Sequence, residues 1–154
     1  MAAAALPALT PRQTAAAAAA TMNLDGTLVT SRSLAGSMRH RGRVVKATGD
    51  GFLATFEGPA RSINCARSLT AATAGIGVEI RAGLHAGECE LIGDDIGGMC
   101  VHLAARVCRL AGPGEVLVSR TVKDLVVGSG IEFSAQGAHE LKGVPGKWEL
   151  FSVA

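Results

Sequence analysis

The chain has 154 residues, 48% of them hydrophobic, and a formal charge of +2; that length fits one domain with a sizeable, mainly aliphatic core. Four Phe, one Trp and no Tyr leave few stacking platforms for single-stranded nucleic acid, and the charge is too small for a broadly basic nucleic-acid binder. The cysteines at 65, 89, 100 and 108 lack the Cys-x-x-Cys spacing of zinc and redox motifs and read as thiols in a reducing cytosol.

The opening MAAAALPALTPRQTAAAAAATMN lacks the charged-then-apolar order of a signal peptide, and no run reaches transmembrane length. A cytoplasmic protein without a membrane segment is expected. Residues 1–22 read as a low-complexity or disordered tail, with a fraying helix in the alanine run as the other reading. Residues 23–40, NLDGTLVTSRSLAGSMRH, have no clear periodicity and read as a linker. The patterned domain occupies 41–154.

Within it, RVVKATGD and GFLATFEG flank a Gly-Asp-Gly turn, a strong hairpin signal. Gly58-Pro59 then opens a helix in which Ile63, Ala66 and Leu69 recur at helical spacing. The segment VEIRAGLHAGECELIG reads as a strand in which Gly83 and Gly87 mark a bend or a close backbone approach. A second helix fits GMCVHLAARVCRLAG, with Met99, Leu103, Val107 and Leu110 as its apolar stripe before Gly112-Pro113. EVLVS is a short buried-type strand, TVKDLVV is a helix or a strand, and IEFSAQG, HELKG and KWELFSV read as strands. This order predicts an α+β fold with a mixed sheet packed by helices.

Several side chains could carry chemistry. Asp50, between two glycines, fits either a turn aspartate or an oxygen ligand for Mg²⁺ or Mn²⁺. Lys46 fits a solvated strand lysine or a base- or phosphate-facing cation. His102 and Arg106 are four apart and share a helix face; they suit either solvent or a phosphoryl group, which the guanidinium fork would neutralise. Lys142, in ELKGVPG, is a turn lysine with the same two readings. His85 is better read as packed or hydrogen-bonded than catalytic, and Asp94-Asp95 as a loop charge pair with some capacity for a cation. No P-loop, Rossmann fingerprint or Gly-x-Ser-x-Gly is present.

The blocks VVKATGDGFLATFEGPARSINCA, VEIRAGLHAGECELIGDDIGGMCVHLAARVCRLAGPGEVLVSRTVKDLV and GIEFSAQGAHELKGVPGKWELFSV, in this order, closely resemble the catalytic domain of class III adenylate/guanylate cyclases of the bacterial branch. The resemblance implies a ferredoxin-like cyclase domain with a mainly antiparallel sheet, working as a head-to-tail homodimer or as a heterodimer with another cyclase domain. It implies ATP or GTP as substrate, most simply ATP converted to 3′,5′-cyclic AMP and pyrophosphate, with two Mg²⁺ or Mn²⁺ ions assisting attack of the ribose 3′-hydroxyl on the α-phosphorus. By the same resemblance Asp50 is a metal ligand, Lys46 reads the purine and Met99 takes the second purine-reading place. His102 stands where an asparagine orients the ribose, Arg106 stabilises the transition state, and Lys142 binds the triphosphate. No Phe-Thr-Asp-like motif precedes the Lys46 hairpin, so the N-terminal strand and first metal aspartate are expected to be missing. The chain alone is then expected to be weakly active or inactive, and the alternative is a non-catalytic subunit that pairs with and regulates a complete cyclase.

Overall fold

The structure is a computed structural model that describes residues 15–24, 39–40, 42–47, 51–92 and 95–154. Among these residues, eight strands and three helices follow one another as β1 (Ala15–Leu24), β2 (Gly42–Ala47), β3 (Gly51–Phe56), α1 (Pro59–Ala74), β4 (Ile80–Ile92), β5 (Asp95–Gly97), α2 (Met99–Leu110), β6 (Val116–Ser119), α3 (Arg120–Leu125), β7 (Phe133–Glu140) and β8 (Lys147–Val153). The sheet runs β2-β3-β1-β4-β6-β8-β7, with β5 paired to β4 off this path. Only the β4–β6 pairing is parallel among these; the others are antiparallel. This is the mixed, mainly antiparallel α+β sheet expected from the order of segments.

The alanine run corrects the sequence reading. Ala15–Leu24, expected as tail and linker, is the strand β1, paired on one side with β3 and on the other with β4. Alanine has a weak preference for strands, but that preference yields to tertiary context. Here both backbone edges of the segment find partners, which satisfies its N–H and C=O groups without help from side-chain patterning. The strand itself, AAAAAATMNL, holds no acidic residue.

Two layers cover the sheet. Phe52, Ala54 and Phe56 of β3 join Ile63, Cys65, Ala66 and Leu69 of α1, with Val122 of α3, in one core. The intervening Leu53 belongs instead to a cluster with Cys89, Ile96, Cys100 and Ala104 on the α2 side. A third cluster joins Leu103, Val107 and Ala111 to Leu117, Leu141 and Leu150. Alternation along β3 therefore serves two buried faces, which is why GFLATF is nearly all buried. Pro59 in the first turn of α1 forgoes an N–H that had no helical partner.

Gly83 is a site of close approach, as its sequence context predicts. A Cβ there would sit 2.6 Å from the Ala104 carbonyl oxygen and closer still to the Cys108 backbone, so only glycine lets α2 cross β4 at this depth. Helix α2 is rotated slightly from the expected stripe: Cys100, Leu103, Ala104, Val107 and Cys108 are buried, while Met99 and Leu110 are about half exposed. The undecided TVKDLVV segment is mostly helix, α3. IEFSAQG and HELKG merge into one strand, β7, with a register shift between Ala135 and Ala138.

Candidate functional site

Lys46 lies on β2 just past an irregularity. Register shifts between Val44 and Lys46, and such bulges re-aim side chains. Val45 packs toward the Leu53 cluster, and Lys46 reaches out to Asp95, its Nζ donating to Oδ2 at 3.1 Å. The other oxygen of Asp95, Oδ1, accepts the Ile96 N–H at 2.8 Å. The Lys46 hydrogen bond, and after it the Ile96 amide, hold the Asp95 carboxyl below the usual carboxylate range. The pair is about half exposed on each side, so its groups face solvent and can meet a ligand.

Asp95 is the residue that sequence reasoning missed. It opens β5, which returns along β4 through the pairing of Ile92 with Asp95. The Gly-Asp dipeptide at 93–94 is the turn signal that could have revealed this hairpin. The reading of Asp94-Asp95 as a loop charge pair does not hold for Asp95, which stands in a strand and pairs with the ammonium of Lys46.

A single residue, Gly98, separates helix α2 from β5. Met99, its first residue, lines a cleft of about 320 Å³ with His85, Gly87, Cys100 and Leu103 among others. His102 is exposed and Arg106 half-buried further along the same helix. Seven residues separate Met99 from Arg106, an axial rise of roughly 10 Å. Near the far end of α2, Leu141 packs with Leu103, Val107 and Ala111. Its neighbour Lys142 is exposed in the turn closed by Val144 N–H on the Leu141 carbonyl at 3.0 Å. Met99, His102 and Arg106 recur at helical spacing on α2, Lys142 follows Leu141 in its turn, and Lys46 meets Asp95. Among the described residues no hydrogen bond or ion pair joins His102, Arg106 or Lys142 to the Lys46–Asp95 pair.

His85 is packed, as expected. Its Nδ1 is 2.7 Å from Ser119 Oγ, and its ring meets Trp148 edge-on at 5.8 Å between centroids. Burial lowers its pKa from 6.5 to about 4, so the imidazole is neutral at physiological pH.

Asp50 lies outside the described residues. Asn23, near the end of β1, pairs with Gly51, the first residue of β3. Among the described residues no group of three or more His, Cys, Asp or Glu is arranged to hold a metal ion. The described donors alone therefore do not make the expected two-ion centre. No helix among the described residues is long and apolar enough to cross a membrane.

Residues 13–154 match the family model described as the adenylate and guanylate cyclase catalytic domain. The chain is 34% identical over 114 residues to the protein of Rhizobium meliloti named "Putative adenylate cyclase 3", a match covering 68% of this chain and 19% of that protein. It spans about a fifth of that relative's length and is correspondingly a counterpart to only part of it. Among solved structures, it resembles the adenylate/guanylate cyclase/hydrolase of Silicibacter pomeroyi with a TM-score of 0.77 at 21% identity, covering 88% of this chain and 95% of that one. It also resembles the adenylyl cyclase CyaB of P. aeruginosa, with a TM-score of 0.76 at 17% identity and coverage of 92% and 95%. At these identities the structural likeness establishes the fold, and the family model covers nearly the whole chain. The chain therefore belongs to the adenylate and guanylate cyclase catalytic-domain family.

Proposed function

We propose that this chain supplies the base-reading and phosphate-binding half of a purine nucleotide cyclase site that converts ATP to 3′,5′-cyclic AMP and pyrophosphate. The observation that carries this reading is the half-exposed Lys46–Asp95 pair at the start of α2. It offers a donor and an acceptor side by side, matching the N1 acceptor and the amino donor of adenine. Met99 packs beside the base without reading it, since a thioether is a weak acceptor.

The remaining roles fall to α2 and to Lys142. His102 bonds the ribose, Arg106 spreads its donors over the α-phosphoryl group as charge builds there, and Lys142 attracts the triphosphate. The 3′-oxygen forms a bond to the α-phosphorus, the bond to pyrophosphate breaks, and the hydroxyl proton leaves to solvent. A bound Mg²⁺ or Mn²⁺ ion would ease loss of that proton and offset phosphate charge; Asp50 is its ligand in this reading, opposite the base-reading residues of a second cyclase domain.

The test is product formation with ATP and, separately, GTP in the presence of Mn²⁺. Cyclic AMP in excess of cyclic GMP, lost in Asp50→Ala and in Arg106→Ala, is the expected result. Absence of both products from the wild-type chain would overturn self-sufficient catalysis.

A second reading is favoured by the absence of acids in β1 and of a metal cluster among the described residues. In it the chain is a regulatory or complementing subunit whose partner brings the metal carboxylates. Mixing it with a cyclase domain that has lost its own base-reading lysine should then restore cyclic AMP formation, and no gain would count against this division.

A further inference from the structure

We infer that Cys89 and Cys100 form a reversible disulfide that clamps β4 to the first turn of α2. The two residues come from different elements but share one apolar cluster with Leu53, Ile96 and Ala104. Both thiols lie over the same stretch of β4 backbone: Cys89 Sγ faces the Gly87 carbonyl at 3.9 Å, and Cys100 Sγ faces the His85 carbonyl at 3.8 Å. Cys100 packs over Gly87, two residues from Cys89 on the same strand face: a Cβ at Gly87 would lie 3.7 Å from Cys100 Cβ and 3.8 Å from its sulfur. The thiols also hydrogen-bond each other, which holds Cys89 below its ordinary pKa against the opposing effect of burial. Cys100 lines the 320 Å³ cleft, so a small oxidant has a route as far as Cys100, beside Cys89. Cys65 and Cys108 are buried in other parts of the molecule, Cys65 on the inner face of α1 and Cys108 against the Arg81 carbonyl.

The chemistry needs a peroxide as the oxidant. The Cys89 sulfur gives up its proton and attacks one peroxide oxygen, the O–O bond breaks, and Cys89 becomes a sulfenic acid while that proton leaves with the departing hydroxide as water. The Cys100 sulfur then displaces hydroxide from Cys89, its proton leaves with that hydroxide as a second water, and the S–S bond closes. Two thiols are oxidised and one hydrogen peroxide is reduced to two waters; a reducing thiol reverses the step. The bond closes a loop over residues 90–99, which includes β5 and therefore Asp95. It would fix the segment that presents the Lys46–Asp95 pair, independently of whether the chain cyclises ATP.

The test is mass spectrometry on the whole purified chain after brief hydrogen peroxide treatment and alkylation. Both cysteines fall between Arg81 and Arg106, so the tryptic fragment should lose two hydrogens and take up no alkyl group. Cleavage after Glu90 should then leave two fragments joined until a reductant is added. Cys100→Ser should stop at the sulfenic acid on Cys89, trapped by dimedone, while the Cys65→Ala/Cys108→Ala variant should still form the bond. Full alkylation of Cys89 and Cys100 after peroxide, or linkage of either to Cys65 or Cys108 instead, would overturn the inference. The wild-type fragment decides the matter even if a substituted chain does not fold.

Discussion

Lys46 and Asp95 are each about half exposed, and exposed ion pairs contribute little to folding. Their value lies in what they present to a ligand. Asp95→Ala should leave the thermal midpoint nearly unchanged while weakening ATP binding about tenfold or more by calorimetry; a large loss of stability with unchanged binding would assign the pair a structural role. His85 is the converse case, a buried group whose effect is on stability. Its folded pKa of about 4 lies below the unfolded 6.5, so the unfolded chain takes up the proton first as pH falls. Stability attributable to this histidine is intact above pH 6.5 and is lost progressively down to about pH 4, by on the order of 3 kcal/mol. Denaturant unfolding at pH 7 and pH 4.5 should show a smaller acid loss for His85→Gln than for wild type; equal losses would place the acid sensitivity elsewhere. His85 was legible as a packed residue because it stands among apolar strand neighbours. Asp95 was not legible as Lys46's partner, because a three-residue strand carries too little pattern to fix which way its first side chain faces.

At the level of elements, two features decide how the sheet is built. Gly83 permits α2 to rest on β4, and Gly83→Ala would drive a methyl group into the Cys108 backbone and the Ala104 carbonyl. Backbone cannot move aside as a flexible side chain can, so a loss of roughly 3 kcal/mol is expected from denaturant unfolding. This glycine could be read from the sequence as a close approach because it interrupts an otherwise regular strand. β1 could not be read, since six consecutive alanines show neither period-2 alternation nor β-branched enrichment and have the composition of a tail. Its position follows from pairing on both sides, a non-local property. Amides of Ala18–Met22 should accordingly exchange slowly, and Ala19→Pro should disrupt the sheet by removing a ladder donor. Fast exchange throughout 15–24 would show that the alanine run is not held in the sheet.

At the scale of the whole molecule, the sheet order carries the Lys46–Asp95 pair to one end of α2 and Leu141, beside Lys142, to the other. Helices α1 and α2 and the strand order after residue 41 were legible in outline because their apolar periods and glycine breaks agree with the fold, while α3, at six residues, is too short for its pattern to decide between helix and strand. The candidate residues Lys46, His102, Arg106 and Lys142 come from the family-like blocks of the sequence. What sequence alone left out was the ion pair between Lys46 and Asp95. The central claim is that Lys46 and Asp95 read the adenine as one unit. The most direct measurement is cyclic AMP formation from ATP by the wild type, Lys46→Ala, Asp95→Ala and the double variant, each alone and mixed with a cyclase domain lacking its own base-reading lysine. The account predicts that each single substitution lowers the rate about tenfold or more and that the double variant is little worse than either single one. Single variants that form cyclic AMP at the wild-type rate would contradict it.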